Sequence, residues 1–414
     1  MRDRQAVGAT SFVPGTDGRI LVLSMRRLAT LAAYCIQYEF EDVISAVTGA
    51  DRVEADDAAA LEFSRRTYKV LRGATRSHRL ARRWAPRPST IAIKKDYDLF
   101  FPVFNHPHEL FALATIPDWR RRSKVAACFI NEVWAHLWPT ELAELLVDFD
   151  HVFLGSRHGA EQVEKLLRRS CSYLPLATDV LTFSPLPHAP QRPIDVCNIG
   201  RRSPVTHAAL VELGRKRKIF YYYDTVAASG AGLKQRTFHV DRPAEHRLQL
   251  ASLLHRTRYF IANRSRVNEA DAALYEVISS RFYEGAAAGT VMLGEAPRSA
   301  DFEQQFDWRD AVIPLPFDSP DVERTLVELN ADPLRLERAR RENLRQSALR
   351  HDWTHRFRTV LDTLGMPPTE AMLEREERLR NLAESAGDAP HATTKKAAAT
   401  PVRQASDIRL IQEN

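Results

Sequence analysis

The segment SRFYEGAAAGTVMLGE, Ser280–Glu295, concentrates the features that binding an anionic ligand requires. Glu284 is followed by Gly285, Ala286 and two more alanines, then Gly289 and an apolar run. Small residues let a ligand or backbone approach closely, and a helix opening here aims its first N–H groups outward. That suits a diphosphate, and a carboxylate beside it accepts hydrogen bonds from ribose hydroxyls, the task expected of Glu284. Local physics leaves open an alternative: a small-residue helix packed on a sheet, with Glu284 merely near its start. A second candidate is Asn198-Ile199-Gly200-Arg201-Arg202, where Arg201 and Arg202 offer forked, permanently charged donors to phosphate oxygens. The alternative there is a surface arginine pair at a turn. Two other strand ends carry polar side chains, His106 after YDLFFPVF and Asn131 with Glu132 after KVAACFI. Such groups suit contact with a transferred sugar or activation of a hydroxyl, and equally the capping of backbone groups. His106-x-His108 has no third ligand at metal spacing. Cys35, Cys128, Cys171 and Cys197 lie far apart with no CxxC pair, so no metal site is expected.

These residues need rigid elements to hold them. Short, continuously apolar runs alternate with helical stretches, as parallel strands covered on both faces require. In the first half the runs are Arg19–Ser24, Tyr97–Phe104, Lys124–Asn131, His151–Leu154 and Ser172–Leu176. A proline-rich stretch over 184–193 reads as a joint. The alternation resumes with Ile194–Ile199, Lys218–Tyr223, Arg258–Ala262, Thr290–Leu293 and Ala311–Ile313. Ser319-Pro320 and Asp332-Pro333 read as helix starts, and Trp353, Phe357, Val360, Leu361 and Leu364 form one helical stripe. The expected division is a first α/β domain over 1–183 on the acceptor side and a second over 194–350. Closing helices over 351–380 and a disordered tail over 385–414 complete it. Two such halves imply a ligand held in the cleft between two sheets, near strand C-termini.

The 414 residues suit two cores, and no run approaches the length of a membrane-spanning helix. The N-terminus lacks the apolar centre of a secretory signal, so a cytoplasmic location is expected. The net charge is +6, from 59 basic and 53 acidic residues, but the basic ones cluster. Arg65–Arg87 is almost free of acids, which fits either a solvated helical face or peripheral contact with an anionic membrane at its inner side. No nucleic-acid module is recognised in it, and nucleic acid is not an expected partner.

The run R-F-Y-E-G-A-A-A-G-T-V-M-L-G resembles the donor-binding signature of group 1 GT-B glycosyltransferases, closest to the spore-maturation-protein-like branch. The closing H-D-W-T-H-R-F-R-T-V-L-D-T-L-G helix resembles that family's as well, and the layout matches over roughly 194–365. The resemblance implies a GT-B fold, two Rossmann-like domains with parallel sheets facing across a cleft. It also implies sugar transfer from a nucleotide-diphosphate donor to an acceptor hydroxyl, with retention and without a metal or other cofactor. Glu284 matches the ribose-binding glutamate, and Arg281 belongs to the same signature. Glu276 completes an E-x7-E spacing but lacks the family's following Phe-Gly pair. Arg201 and Arg202 match the diphosphate-binding G-R turn, without the lysine that often follows. The glycine-rich loop after the first strand is replaced by Met25-Arg26-Arg27, which leaves the acceptor undefined among glycans, lipid-linked glycans and small molecules. A GT-B-fold epimerase and a catalytically silent GT-B binding protein are the alternatives to a transferase.

Overall fold

The computed structural model describes residues 11–86, 88–133, 142, 144–224, 238–269 and 276–388. The first sheet comprises β1 (Ser11–Val13), β2 (Ile20–Ser24), β3 (Asp51–Glu54), β4 (Tyr97–Phe100), β5 (Val103–Phe104), β6 (Ser123–Ile130), β7 (His151–Leu154) and β8 (Cys171–Tyr173). Its order is β1-β3-β2-β4-β6-β7-β8, with β5 also on β6; every pairing is parallel except the antiparallel edge β1–β3. All five residues of β2 are buried, as a strand covered on both faces must be. One face packs on the Cys35–Thr48 helix, whose Ile36, Phe40, Val43, Ile44 and Val47 form a single apolar stripe.

The second sheet, β10-β9-β11-β12-β13, is parallel throughout: β9 (Ile194–Asn198), β10 (Tyr221–Tyr223), β11 (Thr257–Ile261), β12 (Val291–Gly294) and β13 (Ile313–Pro314). The chain then returns to the first sheet. The Trp353–Thr363 helix buries Trp353, Phe357, Val360 and Leu361 in the core beside Phe40, with the Trp353 and Phe40 rings stacked at 4.4 Å. Asp352 anchors this return. One carboxylate oxygen accepts from Thr354 N at 2.8 Å, the other from Val180 N at 2.9 Å, and Arg375 pairs with it at 2.8 Å. Arg356 donates to the carbonyls of Pro175, Leu176 and Arg350. Much of the H-D-W-T-H-R motif thus serves to lock the second domain onto the first.

Several boundaries differ from the sequence reading. The YDLFFPVF run is two strands, broken at Phe101-Pro102. The helix expected at Ser319-Pro320 starts at Val322, with Asp321 before it. The Glu370–Asp388 helix occupies 385–388, where a tail was expected; the rest of that tail lies outside the described residues. The polar strand β3 was not anticipated. It forms because Asp51 accepts from Gly15 N at 2.7 Å and from the Tyr97 hydroxyl at 2.8 Å, which offsets the cost of burying it. The four cysteines are free thiols, three of them buried.

Candidate functional site

A cavity of about 640 Å³ lies between the two sheets, walled by the segments that follow β6, β7, β9 and β11 and by the start of the Ser280–Ala287 helix. A buried ionic chain that runs from Glu39 through Arg247 to Glu284 gives the last two to its wall. Arg247 donates through Nε to Glu39 Oε1 at 2.9 Å and through Nη2 to Glu39 Oε2 at 3.2 Å, and its Nη1 reaches Glu284. Glu284 is 1% exposed, and its second oxygen accepts from Arg281 at 2.5 Å. Burial alone pushes the Glu284 pKa up, but Arg281 and Arg247 outweigh it and hold the carboxyl down at about 2. Glu284 is therefore an anion at every working pH, and it lines the cavity.

The Ser280–Ala287 helix places Ser279, Ser280, Arg281 and Glu284 on the cavity wall. The small residues after them face the other way. A Cβ on Gly285 would lie 2.8 Å from Met292 Sδ and from Phe260 Cδ1, and Ala286 and Ala287 are fully buried. Gly285 and Ala286 therefore serve close packing of helix on sheet. The part of the helix that meets the cavity is its first turn, from Ser280, not Gly285. Glu276 precedes the helix, accepts from the Arg298 backbone N–H and does not line the cavity.

The two arginines of the β9 turn separate. Gly200 takes φ 82°, a left-handed conformation that glycine adopts without strain, and its N–H donates to Asp224 at 2.6 Å. Arg201 lines the cavity, paired with Glu269 at 2.5 Å and donating to Asn268 at 2.9 Å. Arg202 turns into the domain, pairing with Asp224 over the Tyr223 ring, and does not reach the cavity. In its place come Arg264 and Arg266, from the Asn263-Arg264-Ser265-Arg266 loop after β11. Arg264 pairs with Glu295 at 3.1 Å and Arg266 with Glu269. Ser279 Oγ donates to Asn263 O at 2.7 Å and Ser265 N to Val277 O at 3.0 Å, which fastens this loop to the approach of the helix. Arg201, Arg247, Arg264, Arg266 and Arg281 thus surround one side of the cavity.

Asn131 and Glu132 line the opposite, first-domain side. Glu132 is exposed at the rim of the cavity, where neighbouring protein displaces part of its hydration and raises its pKa, with Arg201 and Arg266 opposing the shift. His106 is elsewhere. It caps the Pro107–Thr115 turn, accepting from His108 N at 3.2 Å, and lines a second cavity of about 360 Å³ with His108, Glu109 and Arg65. Burial lowers the His106 pKa to about 4, so the ring is neutral at pH 7. The sequence reading had not singled out Arg247, Arg264, Arg266 or Gln37. Gln37 is 1% exposed, lines the main cavity, and its side-chain carbonyl has no hydrogen-bond partner among the described residues. Strand-end logic points to Arg264 and Arg266. No sequence signal pointed to Gln37. Among the described residues no cluster of three metal-ligating side chains occurs, and no helix is long and apolar enough to cross a membrane.

Two sheets, parallel apart from the β1 edge of the first, thus face one cleft, and the second carries its arginine-lined wall. Residues 187–362 match the family model described as glycosyl transferase-like. No curated protein matches the chain. Among solved structures, the Anabaena protein HepE in complex with UDP-glucose is similar over 84% of this chain and 99% of its own, at 12% identity and a TM-score of 0.44. A glycosyltransferase from Rickettsia africae ESF-5 is similar over 84% and 98%, at 9% identity and a TM-score of 0.46.

Proposed function

We propose that the chain transfers a sugar from a nucleotide-diphosphate donor to an acceptor hydroxyl, with arginines instead of a metal ion neutralising the leaving diphosphate. The observation that carries this reading is the convergence of Arg201, Arg264, Arg266 and Arg281 with the first turn of the Ser280–Ala287 helix on one cavity wall. Fixed positive groups aimed at a departing diphosphate stabilise the charge that develops in the transition state. Glu284, held ionised by Arg247 and Arg281, accepts the ribose hydroxyls; Arg281 is its ion-pair partner and one of the phosphate donors. Glu132 and Asn131, across the cavity, contact the transferred sugar and hold the acceptor hydroxyl, and the raised Glu132 pKa suits a proton-accepting role. Retention of anomeric configuration is carried over from the spore-maturation-like branch that the Arg281–Gly294 run resembles.

The test is turnover of a panel of nucleotide sugars against simple acceptors, with and without a chelator, followed by proton NMR of the product anomer. Chelator-insensitive transfer, lost in Glu284→Ala and retaining the donor anomer, is expected. Transfer that needs a divalent metal refutes arginine neutralisation, an inverted anomer refutes retention, and a changed donor sugar without acceptor identifies an epimerase.

A further inference from the structure

Nine basic residues and no acidic one lie between Arg65 and Arg87. The chain folds there into two packed helices, Ala58–Thr75 and His78–Trp84, whose faces are sorted in an unusual way. In the first helix Leu61, Ser64 and Tyr68, at steps of three and four, are buried, and Tyr68 meets Phe111 edge-on at 5.2 Å. The opposite stripe, at the same steps, is Phe63, Arg66 and Val70. Phe63 is 61% exposed and Val70 71%, while the Arg66 side chain, in its pair with Glu62, stays 75% exposed. In the second helix Ala81 is buried, and Leu80 and Trp84, one turn apart, are 40% and 58% exposed. A solvated helical face carries polar residues; the exposed sides of these two packed helices carry two aromatic and two aliphatic side chains among exposed Arg66, Lys69 and Arg83.

We propose that this face docks the protein on an anionic membrane, with Phe63, Val70, Leu80 and Trp84 entering the headgroup layer and the cations meeting lipid phosphates. Apolar side chains interleaved with Lys and Arg on one face are what interfacial binding uses, and each signal is weak without the other. Charge decides between occupants. A second copy of the same face brings like charges together, whereas an anionic bilayer complements them. Nucleic acid satisfies the cations but makes no use of Val70 and Leu80. The inward flank of the first helix supplies Ala58, Leu61, Glu62 and Arg65 to the wall of the second cavity, beside Met25 and Phe111.

The proposal is independent of the donor reading, because its readout is binding and not turnover. Purified full-length chain is floated with vesicles of phosphatidylcholine alone and of phosphatidylcholine with phosphatidylglycerol. Flotation with the anionic vesicles only, diminished by salt, is expected. The triple variant Arg66→Gln/Lys69→Gln/Arg83→Gln is expected to lose about a hundredfold in partitioning, roughly fivefold per cation. Phe63→Ser/Trp84→Ser is expected to abolish flotation at high salt while leaving the cations in place. All five positions are exposed, and unchanged thermal melts establish that the variants fold. Equal flotation with neutral vesicles, no flotation with either, or binding of a labelled oligonucleotide without vesicle binding each overturns the proposal.

Discussion

Arg247 is the one cation between two buried carboxylates from different domains, so replacing it is the sharpest perturbation of the site. In Arg247→Met the side chain keeps much of its volume, but Glu39 loses two hydrogen bonds, of 2.9 and 3.2 Å, and its one cationic partner among the described residues. Thr178 Oγ1, Asp179 N and Trp353 Nε1 remain as donors to Glu39, and Glu284 retains Arg281. Stripping one partner from a buried ion pair costs about 3–5 kcal/mol, because the remaining charge is uncompensated. Since Glu284 keeps a cation, the loss falls mainly on Glu39. The Glu39 pKa is already raised by burial, with Arg247 the main opposing influence, so the variant raises it further. An acid whose folded pKa is raised loses stability as pH climbs from its unfolded value, about 4.3, towards the folded one. The destabilisation is therefore smaller near pH 5 than at pH 8, and Glu39→Gln added to Arg247→Met recovers much of it. Urea unfolding followed by Trp fluorescence suits the test, because Trp353 donates its indole N–H to Glu39 at 3.0 Å. A deficit under about 1 kcal/mol, equal at both pH values and not rescued by Glu39→Gln, would refute this energetic reading of the chain.

Three other substitutions separate packing from binding. Glu132→Gln is expected to lower kcat roughly 10²-fold or more and to remove an acid limb from the pH–rate profile. Because the Glu132 pKa is raised, that limb lies above the ordinary glutamate range, and a profile unchanged in the variant rules the role out. Gln37→Leu removes a buried side-chain carbonyl of a cavity-lining residue, without a partner among the described residues; donor KM should rise several-fold with little change in melting temperature, and an unaltered KM denies it a ligand contact. Gly285→Ala forces a Cβ to 2.8 Å from Met292 and Phe260, so about 1–3 kcal/mol of stability should be lost while nucleotide affinity holds. A variant that instead keeps its stability and loses affinity would return Gly285 to the ligand site.

Most of the strands were legible because a parallel strand buried on two faces, such as β2 or β12, writes itself as an unbroken apolar run. Strand β3 was not, because Asp51-Arg52-Val53-Glu54 depends on partners far along the chain, such as Tyr97 and Arg27. Within the site, residue type was legible and direction was not. Arg201 and Arg202 are adjacent and chemically alike, yet Asp224 draws one inward and leaves the other on the cavity. Likewise the E-x7-E spacing is blind to where the helix starts: Ser280 falls between the two glutamates, and only Glu284 rides on it. Arg247 left a signal that went unread. It shares the buried stripe of its helix with Leu250, Ala251 and Leu254, where an arginine must have buried acidic partners.

The most direct test of donor binding in the arginine-lined cleft is calorimetric titration of the wild type, Glu284→Ala and Arg264→Ala with uridine, guanosine and adenosine diphosphates in the presence of chelator. One diphosphate should bind the wild type, more weakly to Arg264→Ala with a shallower salt dependence, and Glu284→Ala should lose the preference for ribose over deoxyribose. Equal binding of that diphosphate to all three proteins, or none to any of them, would contradict the assignment of this cleft as the donor site.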